Sequence, residues 1–155
     1  FYPESYLKIL GELRENSPVS CLWSHPDGPI IRFWGGETPP LDRTYYDIHS
    51  RVKEMDKQGV DIHCLSLTQP MIHWAEPNLA LSLSQSYNDA CAEAHTAFPN
   101  RYIGLAMLPM LQPEAAIYEL KRIANLPGMR GVYLSTHIEG YELSDPLFFP
   151  IYEII

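Results

Sequence analysis

From residue 45 onward, apolar positions recur alternately at helical and at strand spacing. In 45–58, Ile48, Val52 and Met55 fall on one helical face, and Gly59 supplies a stop. Residues 60–67 (VDIHCLSL) form an apolar run of strand length. Residues 77–98 predict a long helix, with Pro77 in the first turn, Leu79, Leu83, Tyr87, Cys91, Ala94 and Phe98 on one side, and Pro99 as terminator. A second strand is predicted at 102–108 (YIGLAML). The helix predicted over 112–125 has Pro113 near its start and a stripe of Ala116, Ile117, Leu120 and Ile123. A third strand follows at 131–138 (GVYLSTHI), and Asp145-Pro146 opens a further helix.

Residues 1–44 lack this regularity. A short helix is expected over 4–15. Pro18, Pro26, Pro29, Pro39 and Pro40, with Gly28, Gly35 and Gly36, then mark a long excursion with short strands near 20–23 and 30–34. The expected organisation is therefore a 1–44 excursion within one domain, followed by strand–helix units over 45–155. Strands alternating with long helices imply right-handed crossovers and a parallel sheet, hence an α/β fold. Two architectures satisfy the pattern: an open doubly wound sheet, or part of an eight-fold barrel. No G-x-G-x-x-G follows a strand and no G-x-x-x-x-G-K-[ST] occurs, which removes the main support for dinucleotide or P-loop binding.

Composition sharpens this picture in a few places. The chain has 155 residues, 46% hydrophobic and 19% charged, which suits one folded domain rather than disorder. The net charge of -8 argues against a nucleic-acid partner, which calls for a basic patch. No run of 18 apolar residues exists, so no membrane partner is expected. Cys21, Cys64 and Cys91 are odd in number and form no C-x-x-C, unlike an exported disulfide framework. With no basic-then-apolar segment at the start, the cytoplasm is the expected location. The chain opens on Phe1 without Met and closes on an apolar run, 148–155, that lacks a helix stop, so a fragment is expected.

Parallel sheets carry their chemistry at the C-terminal ends of the strands. That rule selects 66–74, 109–112 and 136–141. His137, expected to end a strand beside Thr136, could hold an anion or shuttle a proton; the alternative is a histidine hydrogen-bonded within the rim. On the 66–74 segment, Thr68 could donate to a carboxylate and Trp74 could form an apolar wall, with His73 nearby; for each, loop packing is the ordinary alternative. Arg32, among Ile30, Ile31, Phe33 and Trp34, suits a bidentate carboxylate clamp or a surface ion pair equally. His63 is expected as a core or interface residue, and His49 and His95 as helix residues in solvent or packing. Asp56, Asp61, Glu76 and Asp89 are expected to cap or to be solvated. No histidine pair has metal-ligand spacing, and no G-x-S-x-G elbow is present.

Several ordered segments resemble a known family. They are Arg51-Val52-Lys53-Glu54-Met55-Asp56-Lys57-Gln58-Gly59-Val60, Pro70-Met71 with Trp74-Ala75-Glu76-Pro77, Tyr87-Asn88-Asp89, and Pro99-Asn100-Arg101-Tyr102-Ile103-Gly104-Leu105-Ala106 with Leu108-Pro109. Gly131-Val132, Ser135-Thr136-His137 and Asp145-Pro146 with Pro150 complete the series. Residues 28–155 thereby resemble the amidohydrolase-2 family, most closely its branch of 2-amino-3-carboxymuconate-6-semialdehyde decarboxylases. The resemblance implies the N-terminal portion of a (β/α)8 TIM barrel that binds one divalent metal, zinc or manganese. It implies non-oxidative decarboxylation of an aromatic or unsaturated carboxylic acid, or hydrolysis of an ester, lactone or amide on the same barrel. A non-catalytic binding module remains the alternative from another class. The family's metal ligands, an N-terminal His-x-His, a later His and a late Asp, match no position here, so the metal is expected to be held by residues outside this chain. What carries over is substrate binding: Arg32 matches an arginine for the substrate carboxylate, Trp74 a loop residue near the substrate, and His137 a Thr-His at the rim. A homodimer is the assembly the resemblance implies.

Three parallel strands cannot close a barrel, so an apolar sheet edge is expected to be open. The 155-residue polypeptide alone should therefore self-associate on size-exclusion chromatography. A monomer with a cooperative melt would contradict the partial-barrel expectation.

Overall fold

The computed structural model describes residues 1–13 and 16–155, and these form two compact units, Phe1–Asp61 and Ile62–Ile155. In the first unit, helix α1 (Glu4–Gly11) buries Tyr6, Leu7 and Leu10, the i, i+1, i+4 stripe of an amphipathic turn. The helix expected over 4–15 thus ends at Gly11, and Arg14 and Glu15 lie outside the described residues. Strands β1 (Val19–Leu22), β2 (Ile30–Phe33) and β3 (Gly36–Glu37) follow as an antiparallel meander. Val19 and Cys21 point to the buried side of β1 and pair with Phe33 and Ile31. Trp34 and Gly35 join β2 to β3 with φ of 38° and 80°, the two left-handed positions of a tight hairpin.

Helix α2 (Ile48–Gln58) starts three residues later than the pattern predicts, because Asp47 takes the N-cap. Its carboxylate accepts from His49 N–H at 2.9 Å and from the Ser50 hydroxyl at 2.9 Å. Residues Arg43–Tyr45 instead make a 3₁₀ turn capped by Asp42. Gly59 ends the helix at φ 68° as expected, and Val60 N–H returns to Met55 O at 2.9 Å.

The second unit carries the parallel sheet. Its strands are β4 (His63–Leu65), β5 (Tyr102–Ala106) and β6 (Met129–Val132), in that spatial order. Helix α3 (Pro77–Ala97) connects the first pair and α4 (Pro113–Ile123) the second. Both crossovers match the expected helices to within two residues at each end. The central strand β5 is buried at Tyr102, Gly104 and Ala106; on the flanking strands Cys64, Arg130 and Gly131 are exposed.

All three strands are shorter than their apolar runs. The expected strand over 131–138 is the one misplaced: β6 begins earlier and stops at Val132. His137 and Ile138 form β7 (His137–Ile138), an antiparallel ribbon with β8 (Tyr141–Glu142). The physical reason lies in the neighbour. Ladder partners on β5 run out at Ala106, the last bond being Tyr133 N–H to Ala106 O at 2.9 Å. Beyond it the Met107 N–H is taken by the Asn88 side chain at 2.9 Å. Residues after Tyr133 therefore pair locally through the Glu139-Gly140 turn, at φ 47° and 87°. The unit closes with a 3₁₀ turn (Pro146–Phe148) and helix α5 (Phe149–Tyr152), whose Phe148 and Ile151 pack with Ala106, Leu108, Met110, Ala116, Ile123 and Ile138.

Two glycines permit the close approach of α3 to the sheet. A side chain at Gly104 would meet Met129 Sδ at 2.7 Å and Cys91 Cβ at 2.8 Å. Gly128 sits at φ 76° with its α-carbon against the His95 ring, whose Nδ1 bonds Tyr102 O at 2.7 Å. Gly128→Ala combines a left-handed backbone with overpacking and should lower stability by about 2–4 kcal/mol. Urea denaturation would show this as a lower midpoint at unchanged slope; an unshifted midpoint would contradict the packing described.

Candidate active-site rim

The loop after β4 is built from short-range hydrogen bonds. Met71 N–H donates to Thr68 O at 3.0 Å, and the Trp74 indole N–H donates to Met71 O at 3.1 Å. Met71, at φ 55°, thus joins Thr68 to Trp74. Thr68 is exposed and Trp74 half-buried. These two sequence-selected residues do share one small structure.

His137 is exposed on the short ribbon rather than at the end of a parallel strand. Its Nδ1 lies 3.3 Å from the Thr136 hydroxyl, and Ser135 Oγ donates to its carbonyl at 2.8 Å. Arg32 belongs to the other unit. On β2 its Nε donates to Glu37 Oε2 across the hairpin at 3.1 Å, with the two side chains 56% and 54% exposed. An exposed pair of this kind contributes little to stability. The same arginine borders a cleft of about 660 Å³ also lined by Cys21, Phe33, Trp34 and Glu37.

His73, beside Trp74, is more perturbed than any selected residue. Its Nδ1 is buried without a hydrogen-bond partner, and burial pushes the imidazole pKa down to about 4. The ring is therefore neutral at physiological pH, a hydrogen-bonding group rather than a cation.

The polar residues that sequence reasoning missed lie below this rim. Asn88 and Glu119 are fully buried, as is Ser84. Asn88 Nδ2 donates to Met107 O at 3.0 Å and to Glu119 Oε1 at 2.8 Å. Ser84 Oγ donates to the same Met107 carbonyl at 2.5 Å. Arg122 grips both oxygens of Glu119 at 2.8 Å and reaches Asp89 at 2.7 Å. Hydrogen bonding to Glu119, first, and to Asp89 holds the guanidinium pKa above its ordinary value. Asp89 is thus half of an ion pair rather than a free solvated charge. A signal was present in the sequence: Ser84 and Asn88 sit at i and i+4 beside Leu83 and Tyr87, and Glu119 beside Ala116 and Ile123, polar residues among buried positions.

Among the described residues no group of three or more His, Cys, Asp and Glu side chains could hold a metal ion. The described residues do not fit a metal centre.

Comparison with known proteins gives the family. The amidohydrolase family model matches residues 36–155. The chain belongs to the amidohydrolase family. It is 38% identical over 114 residues to a 2-amino-3-carboxymuconate-6-semialdehyde decarboxylase of Dictyostelium discoideum, covering 73% of this chain and 32% of that protein. A solved 5-carboxyvanillate decarboxylase from Novosphingobium aromaticivorans, complexed with manganese and 4-hydroxy-3-methoxy-5-nitrobenzoic acid, is 30% identical with a TM-score of 0.66, over 70% of this chain and 32% of that one. Apo IDCase of Metarhizium anisopliae matches 99% of this chain and 45% of its own at 24% identity and a TM-score of 0.82, a likeness of fold alone. The chain spans about a third of the length of the curated relatives it matches. The parallel strand–helix units of this amidohydrolase are part of a (β/α)8 barrel, not an open doubly wound sheet. No helix among the described residues is long and apolar enough to cross a membrane.

The depressed pKa of His73 makes a stability prediction. Its folded value lies below the ordinary 6.5, so between about pH 6.5 and 4 the unfolded chain binds the extra proton. This contribution to stability is complete above pH 6.5 and is lost as pH falls towards 4. His73→Gln should flatten the pH dependence of unfolding free energy across that window by about 3 kcal/mol. Parallel curves for variant and parent would contradict a buried neutral imidazole.

Proposed function

We propose that the protein carrying this chain is a metal-dependent, non-oxidative decarboxylase of an aromatic or unsaturated carboxylic acid, a carbon–carbon lyase. One observation carries the reading: the 38% identity to a decarboxylase over nearly three-quarters of this chain. Manganese in the related 5-carboxyvanillate enzyme supports a divalent metal; in this reading it is zinc or manganese, held by ligands outside these residues. In this reading residues 1–44 are an excursion within the barrel domain, and 45–155 are its first strand–helix units.

The roles proposed for this chain are in substrate binding. Arg32 meets a carboxylate with its fork of N–H donors, exchanging Glu37 for the substrate. Trp74 supplies an apolar wall with its N–H already committed to Met71, and Thr68 offers a hydroxyl. His137 is a polar rim contact on an exposed ribbon. Cys21, Cys64 and Cys91 are free thiols, which accords with a reducing cytoplasmic compartment, and the proposed assembly is a homodimer.

The test is carbon dioxide release by the full-length protein from 5-carboxyvanillate, hydroxybenzoic acids and 2-amino-3-carboxymuconate-6-semialdehyde. Release abolished by chelator and restored by manganese or zinc is expected. Ester or lactone hydrolysis without decarboxylation would overturn the reading. Arg32→Ala should raise KM roughly 10- to 100-fold, the worth of one charged hydrogen bond, at unchanged metal content. Unaltered kinetics would return Arg32 to a surface ion pair.

A further inference from the structure

The buried network under β5 does more than fill space. A strand normally ends when its backbone groups go to solvent or to a turn. At Met107 one side chain takes both backbone groups: Asn88 Oδ1 accepts the N–H at 2.9 Å while its Nδ2 donates to the C=O at 3.0 Å. This is the pairing a neighbouring strand would make, supplied by an amide on α3. The same Nδ2 reaches Glu119 on α4 at 2.8 Å, and Arg122 holds that carboxylate from the next turn.

The segment between these two anchors, 107–112, is the post-strand loop of the central strand. Asn88 holds its beginning at Met107, and through Glu119 it holds the helix into which the loop runs. The loop itself is short and braced, with Met110 N–H on Leu108 O at 2.8 Å and Gln112 N–H on Pro109 O at 2.9 Å. At its end Gln112 presents a side-chain oxygen that is buried without a hydrogen-bond partner. In a parallel barrel this edge faces the reacting substrate.

We propose that Asn88 is a positioning residue for the reaction: by gripping both backbone groups of Met107 and the Glu119 carboxylate, it fixes the rim loop 107–112 at the substrate's edge of the sheet. The inference rests on the decarboxylase reading above and adds a residue that touches no substrate. Catalytic geometry tolerates displacements of well under an ångström, so a loosened rim loop lowers turnover more than affinity.

Asn88→Asp tests this without changing shape. The variant keeps the acceptor for Met107 N–H, loses the Nδ2 donations to Met107 O, Glu119 and the Ser84 hydroxyl, and sets a second carboxylate against Glu119. Two carboxylates in contact share a proton, and the protonated form donates again. With the full-length enzyme and the acid it decarboxylates best, we expect kcat to fall at least about tenfold at pH 7.5 with KM within about twofold. We also expect the ratio of variant to parent kcat to climb as pH is lowered towards 5.5, an added acid limb that packing damage alone does not produce. Melting curves establish that the variant is folded at the assay temperature. A ratio that stays near one, or stays low and flat with pH, overturns the inference. If Asn88→Asp does not fold, Arg122→Lys loosens the same network from its half-exposed end: reduced kcat at unchanged KM supports the inference, and parent-like kcat overturns it. A parent enzyme that releases no carbon dioxide from any acid tested overturns the decarboxylase reading itself, an outcome distinct from normal turnover by the variants.

Discussion

Beyond Ala106 the central strand stops being a strand because a side chain, and not a neighbouring backbone, takes its hydrogen bonds. An unpaired buried peptide group costs on the order of 1–3 kcal/mol, so Met107 in the interior demands two partners at once. Asn88 provides both, and Ser84 reinforces the carbonyl. Three consequences follow from that one contact. Strand β6 loses its ladder partner, residues 137–142 fold back into their own ribbon, and the loop at the sheet's C-terminal edge is anchored at the point where it leaves the sheet.

The anchoring amide needs support of its own, because its second donation goes to a carboxylate with no exposure to solvent. A buried charge persists only when paired and hydrogen-bonded. Arg122 satisfies both oxygens of Glu119 and hands the remaining charge to Asp89, which is itself half exposed. Charge is thus passed outward from the core to the surface of α3. The cost of burying Glu119 is offset by geometry rather than by screening, and the network joins α3, α4 and the end of β5. Gly104 and Gly128 contribute along the same helix, since only the absence of a side chain lets Cys91 and His95 of α3 approach β5 and the turn before β6 this closely.

The candidate binding residues divide by how they are held. Trp74 is fixed through Met71 within a loop of tight turns, and His73 beside it is kept neutral by burial. Arg32 and His137, in contrast, sit exposed on antiparallel hairpins of two residue pairs each, with a carboxylate and a hydroxyl as their nearest partners. An exposed arginine on a hairpin can exchange Glu37 for a substrate carboxylate at small cost, because neither group is desolvated in its resting pair.

Periodicity by itself determined the order of strands and crossover helices in 45–155. Pro77, Pro113 and Gly59 act through their own backbone restrictions, and stripes such as Leu83, Tyr87 and Cys91 need only a 3.6-residue repeat. Local chemistry also carried the α/β class, the two short strands near 20–23 and 30–34, and the family likeness of segments such as 99–106. Strand ends were decided by the tertiary structure. The run GVYLSTHI is apolar enough to be one strand, yet a strand lasts only as long as its neighbour offers hydrogen bonds, and that neighbour's last peptide is claimed from α3. Asn88, Glu119 and Arg122 were visible as letters but not as a network, because their partners lie 19 and 31 residues apart along the chain. Which polar groups meet in the interior is a property of packed helices, and no local pattern encodes it.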